Sequence, residues 1–165
     1  MKTKLVSLLA SLLLLLGTAS AQDGGVVVVE SDSPYYAGAS FGFVSASGFS
    51  SLTLAGHFGL RDLLLEDLDL RLDATVLTRG GNSFSLGALA LYNLDLSSLP
   101  VDIYFGGGPE LFFGSNTAFG IGLRGGADYA ISQRATAFGE FRVDPVFGNA
   151  NTTLFGLGAG IKFSF

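Results

Sequence analysis

Three groups of residues in this chain are of types that do chemistry. His57 is the only histidine in 165 residues, and a histidine is what a hydrolytic site built on a serine and an acid would need. Asp67, Asp69 and Asp73 are spaced two and four residues apart, which in an extended strand puts three carboxylates on one face. Such a set could bind a hard cation such as Ca²⁺ through oxygen. Gly120-Ile121-Gly122-Leu123-Arg124-Gly125 fits G-x-G-x-x-G, the turn that brings a pyrophosphate onto a helix N-terminus. The chain has no cysteine, so neither a disulfide nor a thiolate metal site is available.

What these residues can do depends on the elements that carry them, and from Tyr35 onward the sequence has a period of two. Tyr35–Val44 alternates Ala37, Ala39, Phe41 and Phe43 with Tyr36, Gly38, Ser40 and Gly42. Ser51–Leu60 alternates Leu52, Leu54, Phe58 and Leu60 with Ser51, Thr53, His57 and Gly59. Glu66–Leu77 sets Leu68, Leu70, Leu72, Ala74 and Val76 against Asp67, Asp69, Arg71, Asp73 and Thr75. Further strands are expected at Phe84–Tyr92, Val101–Leu111, Thr117–Ile131, Ala135–Val146 and Thr153–Phe165. In the fourth, both parities are apolar, and Phe84, Leu86, Ala88, Ala90 and Tyr92 are read as outward. A helical stripe of Leu60, Leu63, Leu64 and Leu68 competes only briefly, because strict alternation resumes at once. Turns are expected at Ser45–Ser50, Thr78–Ser83, about Phe112–Asn116 and Phe147–Thr152.

The first 21 residues are set apart. Lys2 and Lys4 form a basic start, Leu5–Leu16 an apolar run of export-signal length, and Ala19-Ser20-Ala21 the small residues of a cleavage site at Ala19 and Ala21. Residues 22–34 read as a lead-in and 35–165 as the folded domain. Without Lys2 and Lys4, 7 basic residues face 14 acidic ones. That balance disfavours nucleic acid, whose phosphates need Lys and Arg.

Only 14% of the chain is charged, 24 residues are Gly, and the mean hydropathy is +0.50. A soluble domain carries about a quarter charged residues. Beyond the N-terminus no apolar run approaches the roughly 20 residues of a spanning helix. Eight strands of about ten residues are long enough to cross a bilayer when tilted. An alternating eight-stranded barrel can be soluble, with its apolar face inside, or membrane-bound, with that face outside. The polar parity decides. It is mostly Gly, Ser, Thr and Ala, with Asp67, Asp69, Arg71, Asp73, Asp102, Arg124, Asp128, Glu140, Arg142 and Lys162 spaced along it. A water-facing surface would be crowded with Lys and Glu, whereas a narrow lumen wants small residues around a few paired charges. With both termini on the periplasmic side, all five tyrosines fall at the inner rim. Tyr35, Tyr92 and Tyr129 are on the lipid-facing parity of an interfacial girdle, and Tyr36 and Tyr104 point inward. Phe43, Phe84 and Phe119 would serve the outer rim.

The pattern over Tyr35–Phe165 resembles the small eight-stranded outer-membrane β-barrels of the OmpA/OmpX type: all-β, antiparallel, up-and-down and transmembrane. Gly160, Phe163 and Phe165 match the family's carboxy-terminal assembly signal, with Gly158 where a polar residue is usual. The resemblance implies insertion into outer-membrane lipid by the barrel-assembly machinery, and the last strand must pair with the first to leave no open edge in lipid. It implies no activity, since these barrels host several functions on one scaffold.

On that scaffold each chemical candidate has a plain counterpart. The G-x-G-x-x-G lies within an alternating strand, so its inward glycines make room for large neighbours. His57 has inward parity, which suits a hydrogen-bonded lumen histidine. A hydrolase that modifies lipids would need it on the lipid side next to a serine. The strand-three carboxylates have Arg71, Arg124, Arg142 and Lys162 to pair with, Lys162 facing them from strand eight. Asn151-Thr152-Thr153 has the form of a glycosylation acceptor but reads as loop. The resulting expectation is a non-catalytic envelope protein, without cofactor or metal, whose lumen is filled by side chains. A narrow channel, a lipid-modifying enzyme and a soluble lipocalin-like carrier remain as alternatives, and oligomeric state is unassigned.

Overall fold

A computed structural model of the chain describes residues 33–63, 65–78, 83–94, 101–148 and 151–165. The proposed signal segment, with Ala19 and Ala21, and the lead-in as far as residue 32 lie outside the described residues. Eight strands follow in chain order: β1 (Tyr35–Ala46), β2 (Phe49–Leu60), β3 (Leu68–Leu77), β4 (Ser83–Leu94), β5 (Asp102–Phe113), β6 (Ala118–Ala130), β7 (Ala135–Phe147) and β8 (Thr152–Ser164). Each pairs antiparallel with the next, and β8 pairs with β1. Closure removes the unpaired N–H and C=O groups that an open edge would leave in lipid.

The alternation expected from the sequence is the alternation of the walls. Phe41, Leu54, Leu72, Phe105, Leu123, Phe141 and Leu157 are exposed outside. On β4, Phe84, Leu86 and Tyr92 face out, while Leu89 and Leu91 are buried within. A carrier with an apolar interior is therefore the reverse of this barrel.

The first hairpin is tighter than the expected Ser45–Ser50 turn. Ser45 pairs with Ser50 and Ala46 with Phe49, leaving a loop of Ser47 and Gly48. Gly48, the second central residue of that loop, has φ +75°, a left-handed backbone that favours glycine there. At the opposite end, β2 and β3 are joined by 61–67, a longer segment with left-handed backbone at Asp62 and Asp67.

The interior is stacked in three layers. Near the end opposite the termini, Val44, Leu77, Val146 and Leu154 form a buried apolar layer. The middle layer holds the charges. Toward the termini lie Tyr36, Tyr104, Phe138, Leu89 and Leu91, all buried. Two glycines make the lower layer possible. A Cβ on Gly59 would stand 2.0 Å from Cζ of Tyr36, and one on Gly126 would stand 2.5 Å from Cζ of Tyr104. Each tyrosine lies across the glycine opposite it on the neighbouring strand.

Candidate functional site

The charged layer is built by seven strands that each turn one to three polar side chains inward. β3 supplies Arg71 and Asp73, β5 Glu110, β6 Arg124, and β7 Glu140, Arg142 and Asp144. His57 comes from β2, Ser40 from β1 and Ser85 from β4. Arg71 is fully buried. Its Nε lies 2.8 Å from Asp73 Oδ1 and its Nη2 2.6 Å from Glu140 Oε2. Arg124 donates to Glu110 Oε2 at 3.0 Å and to Asp144, and its Nε is 3.6 Å from Glu140. Arg142 donates through Nε to Asp144 at 2.7 Å and through Nη2 to Glu110 at 3.1 Å. The Ser85 hydroxyl donates to Glu110 at 2.7 Å, and the Tyr104 hydroxyl to Glu140 at 3.0 Å.

Three guanidinium groups thus face four carboxylates, and each carboxylate touches at least one of them. Such a set is held by its own completeness. Desolvating a charge costs several kcal/mol, about 3–5 kcal/mol when one partner of a buried pair is removed.

His57 sits at the edge of this layer. Its Nδ1 is 2.8 Å from Asp73 Oδ1, and its Nε2 is 2.8 Å from Ser40 Oγ. A carboxylate held by Arg71 can only accept, so Nδ1–H donates to Asp73, and in a neutral ring Nε2 then accepts from the serine hydroxyl. The order of groups is that of a hydrolytic triad, but it faces a lumen cavity of about 20 Å³. That is room for about one water. Phe138 closes against the ring edge-to-face at 5.4 Å.

Closer to the termini, Lys162 Nζ pairs with Asp128 Oδ2 at 2.6 Å. It lies 4.7, 5.1 and 5.3 Å from the ring centroids of Tyr104, Phe138 and Tyr36. The electron-rich faces of those rings favour a desolvated cation. The expectation that Lys162 faces the acidic side of β3 is therefore corrected. Three aromatic rings surround its ammonium, and the carboxylate it meets is on β6.

Two other expected network members lie outside the buried layer. Asp67 precedes β3, has φ +68° and is exposed, its N–H donating to Asp62 Oδ1 at 2.9 Å. The left-handed backbone breaks the alternation, so parity extrapolated from the strand fails at its first step. Asp102 opens β5 on the inward parity but is exposed at the rim, beyond the Tyr104 ring. Asp69 is buried but forms no ion pair with Arg71, Arg124 or Arg142. Asp67, Asp69 and Asp73 therefore do not converge on a cation. Among the described residues no group of three or more such side chains could hold a metal ion.

Sequence reasoning missed Glu110, which is fully buried and joins two arginines. The signal was present in its even number on β5, shared with Tyr104. Asp144 has the same parity on β7 as Glu140 and Arg142 but is not among the residues expected in the network, where it pairs with both Arg124 and Arg142. The G-x-G-x-x-G glycines fall within β6. Gly120 lies under Phe112 and Gly122 under the Glu110–Arg124 pair, while Gly125 faces out with open space before it.

On the outer wall, Tyr35, Tyr92 and Tyr129 are exposed on the termini side. Tyr92 meets Phe105 edge-to-face at 5.8 Å. Near the other end Phe84 stacks on Phe113 at 5.1 Å. Phe163 and Phe165 point outward, the Phe165 N–H donating to Tyr35 O at 3.2 Å, while Gly160 lies inside against Phe138.

No protein-family model matches the chain, and no curated protein sequence matches it significantly. Solved structures do. Neisserial surface protein A is 25% identical, over 81% of this chain and 98% of that one, with a TM-score of 0.65. A major outer membrane protein from Thermus thermophilus is 17% identical, covering 79% and 98%, with a TM-score of 0.57. The N-terminal β-barrel domain of Pseudomonas aeruginosa OprF is 15% identical, covering 78% and 97%, with a TM-score of 0.55. The chain has the fold of the small eight-stranded outer-membrane β-barrels.

Proposed function

We propose that this chain is exported by its N-terminal segment and resides in an outer membrane as a non-catalytic barrel that contributes to envelope integrity. The observation that carries this reading is an interior filled by side chains. An arginine–carboxylate layer is stacked between an apolar layer and an aromatic one, inside a wall whose large side chains face out. A lumen built that way would resist deformation and would leave little room for solute. The outer loops are short, Ser47-Gly48 being the shortest, so long adhesive hairpins are absent from the described residues. Insertion would use the barrel-assembly machinery, with Gly160, Phe163 and Phe165 as the recognised end. Tyr35, Tyr92 and Tyr129 would stand at the inner headgroup level.

Fractionation combined with heat-modifiable gel migration tests the reading. The protein should be recovered with outer membranes and run as a compact band unless boiled. Recovery in the aqueous periplasmic extract would contradict it.

The Ser40–His57–Asp73 chain favours one second reading, a hydrolase. It would require the serine to meet substrate, and here the serine faces the lumen. A serine-reactive fluorophosphonate that labels the folded barrel at Ser40 would support this second reading, and an unlabelled barrel would remove it.

A further inference from the structure

We infer that the outer wall carries a binding groove for a single hydrocarbon chain of a membrane lipid, in the depression that runs from β1 to β5 and includes Gly56. The inference rests on the membrane-barrel reading above. The depression has a volume of about 630 Å³. Its floor is Gly56, Ala74 and Ala88, and its walls are Phe58, Leu72 and Leu86. The register explains why these residues meet. Gly56 lies opposite Ala74, and Leu72 lies opposite Ala88. All six belong to the outward parity, so small residues on successive strands leave a trench between rows of large ones. Nothing lies within 4 Å of where a Cβ of Gly56 would stand.

The chemistry of the lining selects the occupant. No charged or hydroxyl side chain points into the trench. His57 and Asp73 contribute from beneath, and their side chains are buried toward the lumen. The trench lies between the Phe84–Phe113 stack on one side and the Tyr92–Phe105 pair on the other. It is continuous with the apolar wall in every direction. A headgroup or polar ligand would find no partner there, whereas a hydrocarbon chain would be touched on its floor and both flanks. On the convex wall it meets protein on one side only. Contact area sets how strongly apolar groups associate, so a chain in the trench should be retained longest when the surrounding lipid is stripped.

Native mass spectrometry from detergent micelles, after loading with palmitoyl-oleoyl phosphatidylethanolamine, tests this. Gly56→Phe places a ring in the trench from a position whose Cβ would meet nothing within 4 Å. Gly139→Phe makes the same change at another outward glycine with nothing within 4 Å of its Cβ, outside the trench. The wild type and Gly139→Phe should each retain one lipid through detergent exchange, and Gly56→Phe should lose it. Retention unchanged in Gly56→Phe, or lost equally in both variants, would overturn the groove. So would a wild-type dimer that Gly56→Phe dissociates, since the occupant would then be a second copy. If the wild type is not recovered as a folded barrel in micelles, the membrane reading itself fails and takes the groove with it.

Discussion

Glu110 and Arg124 form a buried pair, Oε2 to Nη2 at 3.0 Å, directly above Gly122. A Cβ at Gly122 would stand 2.8 Å from the Glu110 oxygen and 3.1 Å from the Arg124 Nη1. The glycine of a sequence resembling a nucleotide-binding turn is thus the clearance for an ion pair. The same carboxylate also receives Arg142 and Ser85, so Glu110 ties β4, β6 and β7 to β5.

Glu110→Gln keeps the shape and removes the charge. It should lower stability by about 3–5 kcal/mol, because Arg124 and Arg142 each lose a buried partner. Asp67→Asn, exposed just before β3, should change stability by no more than about 0.5 kcal/mol. Denaturant unfolding of the barrel in lipid vesicles measures both. Equal effects would show that the charged layer does not hold the lumen.

Gly59→Ala and Gly126→Ala each add a methyl where a tyrosine ring already lies. Each should cost about 1–3 kcal/mol through overpacking. Gly125→Ala, an outward glycine with open space, should cost nothing measurable from packing. The midpoint of heat-induced loss of the compact gel band ranks the three. A Gly125 variant as weak as the other two would refute the packing explanation.

His57→Ala removes the bridge between Asp73 and Ser40 and leaves a buried carboxylate with one fewer donor. The expected cost is about 1–3 kcal/mol. Envelope lipid composition should be unchanged. A changed acyl pattern in this variant, with the fold intact, would replace the structural role of His57 by a catalytic one.

Phe165→Asn keeps the strand pairing but removes an aromatic from the outward end of β8. The proposed assembly role predicts less barrel in the outer-membrane fraction and more unfolded protein in the periplasm. The companion change Phe147→Asn, at the other rim, should have a smaller effect on assembly. Normal insertion of the Phe165 variant would count against the assembly signal.

The fold was legible because a barrel wall is a two-state code, and parity in β3 or β8 names inside and outside at every residue. Strand bounds shifted by no more than two residues. Inside, legibility fell with distance from that code. Arg71, Asp73, Arg124, Glu140 and Arg142 could be placed in one lumen because opposite charges buried together must meet. Which strand supplies the partner of Lys162 depends on how rings pack across the lumen, and no alternation records that. Asp67 was lost because alternation stops where the backbone turns left-handed. Glu110 was passed over because it follows Gly106, Gly107, Gly108 and Pro109, a run that hides its parity. The trench at Gly56 was invisible for a related reason: it arises from register between strands, not from any one of them.

Single-channel recording in planar bilayers tests the sealed lumen most directly. Purified protein, shown by its compact gel band to be folded, should give no conductance steps across a range of voltages. Uniform steps proportional to the number of barrels inserted would contradict the account and make the charged layer the lining of a channel.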